Sequence, residues 1–363
     1  MTKENIKLFS EMHAEPSWLA DLRQKAFDKI ETLELPVIER VKFHRWNLGD
    51  GTITENEPSA NVPDFTALDN HLKLVQVGTQ TVFEQTPVEL AEQGVVFTDF
   101  HSALEEIPEL IEEFFMSSVK YDDDKLAAYH TAYFNSGAVL YIPDNVEIAE
   151  PIEGIFYQDS DSDVPFNKHI MIIAGKLGND ASIDWAIGVM NEGNVVADFD
   201  SDLIGNGSHA DLKVVALSSG RQVQGIDTRV TNYGCNSIGN ILQHGVILEK
   251  ATLTFNGIGH IIKGAKGADA QQESRVLMLS DQARSDANPI LLIDENDVTA
   301  GHAASIGQVD PEDMYYLMSR GLDKATAERL VVRGFLGSVI VEIPVKEVRD
   351  EMIATIEEKL SKR

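Results

Sequence analysis

The sequence predicts a mainly β protein with helical segments on both flanks, and three features of the chain carry that expectation. The first is proline. None of the twelve prolines lies between Asn167 and Asn288, where an even scatter would place about four. Proline cannot donate a backbone hydrogen bond, so a long paired ladder excludes it. The second is a series of short aliphatic and β-branched runs: Leu212-Lys213-Val214-Val215-Ala216-Leu217, Gly245-Val246-Ile247-Leu248, Leu253-Thr254-Phe255, Ile261-Ile262, Val276-Leu277-Met278-Leu279 and Ile290-Leu291-Leu292-Ile293. The third is glycine. Gly207, Gly220, Gly234, Gly245 and Gly257 recur 13, 14, 11 and 12 residues apart, the spacing of turns between strands of five or six residues. Two arrangements fit this rhythm. An antiparallel sandwich or barrel would use Asn206-Gly207 and Asn256-Gly257 as hairpin turns, and the pattern alone leans that way. A parallel β-helix would stack the same strands as rungs.

The flanks read as helical or mixed. Pro16 suits a first helical position, and Trp18, Leu19, Leu22, Ala26 and Ile30 follow near a 3.6-residue period. The stretch from Pro58 to Gln85 is polar, weakly patterned and expected to be loop-rich. A second helix is expected from about Ser102 to Phe115, with Leu104, Ile107, Leu110, Ile111 and Phe114 on one face and Pro108 as an interruption. Beyond the β block, Asp310-Pro311-Glu312-Asp313 is a helix start, with aspartate capping and proline in the first turn. Gly321 ends that helix. Asp323 opens the next, through Ala327, Leu330 and Val331 to Gly334, and Pro344 begins a last one from Val345 to Leu360.

Composition narrows the function. The chain has 363 residues, 43% hydrophobic, with 30 Lys or Arg against 59 Asp or Glu, a net charge of −29. Two or three structural units fit that length. A chain this acidic lacks the basic field that nucleic acid or an anionic membrane requires. Residues 310–363 hold nine basic and eleven acidic side chains, so nearly all of the excess sits on the first 309 residues and the tail is a separate surface. No apolar run approaches the roughly 20 residues that span a bilayer, and the start lacks a signal pattern, so a cytosolic protein is expected. Cys235 is the single cysteine, which excludes an internal disulfide and a CxxC metal site.

Catalytic motifs are few. The chain has no GxxxxGKS or GxxxxGKT phosphate loop, no HExxH and no GxSxG. Gly257-Ile258-Gly259-His260-Ile261-Ile262 has isoleucine where the third glycine of a dinucleotide fingerprint belongs. Cys235 lacks nearby basic neighbours on its C-terminal side and reads as a small buried hydrophobe rather than a reactive thiol. Asp122-Asp123-Asp124 and Asp159-Ser160-Asp161-Ser162-Asp163 lack the glycine and terminal glutamate of a calcium loop and read as solvated turns. His302 stands apart. It lies in Asp297-Val298-Thr299-Ala300-Gly301-His302-Ala303-Ala304-Ser305, among residues too small to bury it. An imidazole presented in this way can ligate a borderline metal if a partner supplies thiolates, and a hydrogen-bonded turn histidine is the plain alternative.

A longer pattern is more specific. Phe255-Asn256-Gly257, Gly264-Ala265, Asp269-Ala270-Gln271-Gln272, Leu277-Met278-Leu279-Ser280, Pro289-Ile290-Leu291-Leu292-Ile293, Asp297-Val298, His302 to Asp310, Tyr315 to Gly321 and Arg333-Gly334-Phe335 resemble, in order and spacing, the SufB/SufD family of iron-sulfur cluster assembly proteins. Glu15-Pro16-Ser17-Trp18-Leu19 and Gly137-Ala138-Val139-Leu140-Tyr141-Ile142-Pro143 resemble the same family, so the likeness covers nearly the whole chain. Length, the lack of a cysteine-rich N-terminal segment and the Asp-Val-x-x-x-His junction resemble its D-type members.

The resemblance implies a right-handed parallel β-helix, the β core at 126–309, with an N-terminal helical or mixed domain at 1–125 and a C-terminal helical domain at 310–363 that docks an ATPase. It implies a non-catalytic scaffold subunit of a SufBCD complex, partnered by a SufB-type paralogue and two copies of a SufC-type ABC ATPase. No cofactor is then held stably by the chain alone, and an iron-sulfur cluster assembles transiently at the interface with the paralogue. The family's Cys-x-His falls on Ala300-Gly301-His302, where the histidine survives without the thiol. In the tail, Met314, Tyr315, Tyr316, Met318 and Phe335 offer adaptable apolar contacts for a partner. Two further readings stand beside the scaffold: a β-helical enzyme acting on a polysaccharide or other small substrate through paired carboxylates, and a homodimer formed when the partner is missing.

Overall fold

Residues 3–36, 72–157, 167–174, 178–341 and 346–361 are described by a computed structural model and fall into two units, 1–176 and 177–363. In the first unit, α1 (Lys3–Met12) and α2 (Ser17–Ile30) are followed by a hairpin, β1 (Lys73–Val77) and β2 (Gln80–Gln85), then α3 (Val88–Ala91) and β3 (Val96–Asp99). Next come α4 (Phe100–Glu106), α5 (Pro108–Phe114), α6 (Lys125–Tyr133), β4 (Ser136–Ile142), β5 (Glu153–Tyr157) and β6 (Lys168–Ala174). They form two small mixed sheets, in the orders β2-β1-β5 and β3-β4-β6.

Two expectations change here. The single helix from Ser102 to Phe115 is two helices, because Ile107 leaves helical geometry (φ −136°) and Pro108 restarts the chain at a first helical position. The expected loop at 58–85 contains the β1–β2 hairpin. β1 is buried along its whole length although it carries Lys73 and Gln76, and the polar residues hid it from a hydrophobicity pattern. The part of that stretch before Leu72 lies outside the described residues, as do the acidic run at 159–163 and Pro344.

The Glu15-Pro16-Ser17-Trp18 segment has a packing reason. Pro16 precedes the first turn of α2, and Trp18 and Leu19 reach an apolar cluster with Phe100, Phe115 and Phe134. Glu15 pairs with the fully buried Arg23 at 2.7 Å and accepts from Ser10 Oγ at 2.7 Å, while Arg23 Nη1 donates to the carbonyl of Phe134 at 2.9 Å. Burial alone would raise the Glu15 pKa, but hydrogen bonds from His101, Arg23 and Ser10 and the guanidinium charge bring it down to about 2.

The second unit is a parallel β-solenoid. Its strands are β7 (Ser182–Val189), β8 (Val195–Leu203), β9 (His209–Ser218), β10 (Val223–Asn232), β11 (Ile238–Ile247), β12 (Thr252–Ile261), β13 (Asp269–Met278), β14 (Arg284–Ile293) and β15 (Thr299–Gln308). Alternate strands stack into two sheets, β7-β9-β11-β13-β15 and β8-β10-β12-β14, every neighbour parallel, which makes about five turns. Ser182, His209, Ile238, Asp269 and Thr299 lie in one register column, 27, 29, 31 and 30 residues apart. The glycine rhythm of the sequence is roughly half of that turn.

The antiparallel alternative fails at its own turns. Asn206-Gly207 lies at a corner between β8 and β9, which belong to different sheets, and Asn256-Gly257 lies inside β12. The corner shows why glycine recurs. Asp180, Gly207, Asn236 and Gly267 occupy equivalent places in successive turns, all with positive φ (59°, 68°, 55° and 72°). A Cβ on Gly207 would collide with the Asp180 carboxylate, and one on Gly267 with the Asn236 amide. Side-chain-bearing residues therefore alternate with glycine along the column, each filling the space its neighbour leaves.

Inside the turns, Leu212, Val214, Ile226, Ile241, Leu253 and Phe255 form a dry core, each side chain contributing roughly 1.5–3 kcal/mol by burial. The tail follows as α7 (Pro311–Ser319), α8 (Lys324–Ile340) and α9 (Lys346–Ser361). Asp310 caps α7 and Asp323 caps α8, as their sequence positions suggest, but α8 continues through Gly334 and Gly337. Val332, Leu336, Val339 and Ile340 of α8, with Ile356 and Leu360 of α9, pack on Val215, Leu217, Val246 and Leu248, the outward row of the five-stranded sheet. Packing on that sheet carries the helix past two residues that weaken it locally. No helix among the described residues is long and apolar enough to cross a membrane.

Candidate functional site: the last rung of the solenoid

In a strand, alternate residues face the same way, so the register fixes which side chains enter the solenoid. One inward column of the five-stranded sheet runs Trp185, Leu212, Ile241, Gln272, His302, and the next runs Ile187, Val214, Gln243, Ser274, Ala304. Both begin apolar and turn polar in later rungs, the first ending in His302 and the second passing through Gln243 and Ser274 to the small Ala304. Opposite them, Thr228, Gly257 and Pro289 form one inward column and Val230, Gly259 and Leu291 another.

The polar residues are linked. Gln243 Nε2 donates to Thr228 Oγ1 at 2.8 Å and to the carbonyl of Asn256 at 3.1 Å, and Ser274 Oγ donates to Gln243 Oε1 at 2.7 Å. Gln272 Nε2 donates to the carbonyl of Ile290 at 2.9 Å. These side chains need room, which Gly257 and Gly259 provide. A Cβ on Gly259 would stand 2.5 Å from Gln272 Nε2, and one on Gly257 3.0 Å from Gln272 Oε1. The Gly-Ile-Gly sequence that resembled half of a nucleotide fingerprint thus clears space inside a solenoid.

His302 lies on β15, a strand that its small residues did not announce. β15 is one of the two edge strands of its sheet among the described residues, β7 being the other, and is exposed over nearly its full length. Among the described residues the His302 imidazole has no hydrogen bond, ion pair or ring contact. Ala300 and His302 are two positions apart and both belong to the inward row, which is the physical reason for an alternating pair at this place. Around the mouth, Ile290, Leu292, Ile293 and Ile306 are about 40% exposed, an apolar rim on the last turn.

The other candidates separate from this site. Cys235 is half-buried at a corner, where its backbone N–H donates to Asn206 Oδ1 at 2.8 Å and its thiol lies 3.4 Å from the carbonyl of Gly264. Asp124 caps α6 through Leu126 and Ala127, and Asp123 accepts from the backbone of Lys120. Among the described residues no three or more His, Cys, Asp or Glu side chains are placed so that they could hold a metal ion together. Asp198, Asp200, Asp202 and Asp227 cluster on the outer face of β8 and β10, where burial and the neighbouring carboxylates Asp202 and Asp227 raise Asp200 to about 6 against the pull of Arg229. In the tail, Tyr315 and Tyr316 are 75% and 56% exposed and no residue of α7 is buried, whereas Phe335 stacks on His244 with ring centres 5.2 Å apart and is spent on holding the tail.

Sequence reasoning missed Gln243, Gln272 and Ser274. Their signal was present as polar residues at alternate positions in otherwise apolar runs, but only the register shows that those positions face inward.

The residues define a parallel β-solenoid whose last described strand is an exposed edge with a histidine in its inward row. Residues 160–335 match the SufBD core domain of the SUF iron-sulfur cluster assembly system, and residues 3–153 match the SufBD N-terminal region. The chain is 37% identical to the iron-sulfur cluster assembly protein SufD of Bacillus subtilis, over 99% of this chain and 98% of that protein. It is 23% identical to a SufBD family protein of Staphylococcus haemolyticus, over 95% and 90% of the two chains, and 24% identical to one of Staphylococcus aureus, over 94% and 85%. The chain belongs to the SufB/SufD family of iron-sulfur cluster assembly proteins, and its similarity to SufD runs over nearly its full length.

Proposed function

We propose that this chain is a non-catalytic scaffold subunit that pairs through its last rung with a B-type paralogue, in a complex powered by a SufC-type ATPase. The observation that carries the reading is β15, an exposed edge strand with free backbone donors and acceptors, flanked by apolar side chains and bearing an unpaired imidazole. A free edge is a template for another strand, and soluble proteins otherwise blunt it.

The cluster is cargo at this junction. His302 supplies one nitrogen, and with alanine at position 300 and Cys235 at a corner of the solenoid, the thiolates come from the paralogue. The exposed Tyr315, Tyr316 and Met318 of α7 are the docking surface for the ATPase, on a tail that is close to electrically neutral. The competing reading, a carboxylate enzyme, rests on the aspartates of β8 and β10, and membership of an assembly family favours the scaffold.

The test is co-expression with the B-type and C-type proteins of the same genome. The expected result is a ternary complex whose ATPase activity resides in the C-type subunit. Within it, His302→Ala leaves assembly intact and lowers the iron and sulfide retained. Recovery of neither partner, or nucleotide hydrolysis by this chain alone, would overturn the proposal.

A further inference from the structure

Two groups in one inward column at the end of the solenoid lack hydrogen-bond partners among the described residues. Gln272 is 5% exposed, and its Oε1 is buried without a hydrogen bond. The orientation of its amide is not arbitrary. The carbonyl of Ile290 can only accept, so the NH2 end must face it at 2.9 Å, and the oxygen is left as the orphan. The second group is the imidazole of His302, without a contact among the described residues. Gln272 and His302 are register partners on adjacent strands and both belong to the inward row; neighbouring strands are about 4.8 Å apart. The residues beside His302 in that row, Ala300 and Ala304, are small and leave the ring free to turn inward.

We propose that Gln272 is the positioning partner of His302: its orphaned carboxamide oxygen accepts one imidazole N–H when the ring turns into the mouth of the solenoid. An orphaned buried acceptor is costly and an imidazole N–H is the donor within its column, so the inward rotamer satisfies both. The consequence is chemical. A ring nitrogen that donates to a carboxamide oxygen keeps its proton, so the other nitrogen carries the lone pair and is aimed by the bond. Gln272 thereby fixes which nitrogen His302 presents at the interface. This role rests on the reading of His302 as a ligand, while the hydrogen bond itself does not.

The full-length chain without any partner tests it. With histidine selectively labelled with nitrogen-15, the His302 ring is assigned by its loss in His302→Ala. The expected spectrum of the unsubstituted chain shows one ring N–H of His302 in slow exchange with water and a single dominant neutral tautomer. Gln272→Met, which keeps the volume and removes the acceptor, abolishes the slow N–H and restores the mixed tautomers of a solvent-exposed histidine. If Gln272→Met does not fold, Gln272→Asn serves, because its shorter chain withdraws the oxygen. A His302 ring that exchanges freely in the unsubstituted chain, or a slow N–H that survives both substitutions, overturns the inference and identifies Gln272 as merely solvated or structural. Failure of the scaffold reading would look different: no complex with the B-type protein while the slow N–H remains.

Discussion

The two ends of the solenoid interior are built from different chemistry on one backbone. In the earlier turns the inward columns hold Leu212, Val214 and Ile226, while one to three turns later the columns of Leu212 and Val214 hold Gln243, Gln272, Ser274 and His302, with Gly257 and Gly259 opposite them. The stacking repeat does not change. Because successive rungs are held by backbone hydrogen bonds, the interior can change from apolar to polar without altering the fold.

This contrast can be broken by substitution, and the largest effect is expected in the apolar core. Phe255→Ala should cost about 3–5 kcal/mol in chemical denaturation, since Phe255 is fully buried between turns. A loss below 1 kcal/mol would mean that the turns collapse around the gap and that the apolar core does not carry the stability.

The first unit extends the comparison, because its buried polarity is ionic rather than neutral. Glu15 titrates near 2 in the folded chain against an ordinary 4.5. The sign follows from linkage: a depressed acid contributes stability that is complete above about 4.5 and is lost as the pH falls toward 2. The contribution is on the order of 3 kcal/mol. Glu15→Gln should flatten the acid limb of the stability profile, while Gln243→Leu should leave its shape unchanged.

Gln243→Leu itself should cost about 1–3 kcal/mol, because it removes the acceptor of Ser274 and a donor to Thr228 inside the solenoid. The smallest effect belongs to the mouth. His302→Ala should cost about 1 kcal/mol, because the proposed bond to Gln272 Oε1 is lost and that oxygen stays buried without a donor. A larger loss would show that the histidine supports the last rung, and the functional contrast between the ends would then weaken.

How legible this was differs by element. The caps Asp310 and Asp323 and the helix after Pro16 could be read locally, because a cap or a first turn is decided within four residues. β15 could not be read, since its Thr-Ala-Gly-His-Ala-Ala run has no alternation and is a strand only because β13 offers it a partner. β1 was hidden for the opposite reason: its Lys73 and Gln76 look like surface residues, yet Lys73 pairs with Glu153 at 2.8 Å and Gln76 donates to the carbonyl of Gly137 at 2.7 Å. The family pattern reached further than any local rule and pointed to His302, although not to the residues stacked beside it.

Local chemistry in the sequence was enough to place strand and turn in the middle of the chain and helix in the tail. Those properties are local, set by proline, glycine and side-chain size over a few neighbours. Tertiary structure alone decided that the strands stack in parallel, that Gln243, Gln272 and Ser274 face inward, and that the Gly257 and Gly259 backbone stands where their side chains need space. Those facts depend on register between residues about thirty positions apart, and a register is chosen by the sum of many pairings rather than by any one residue.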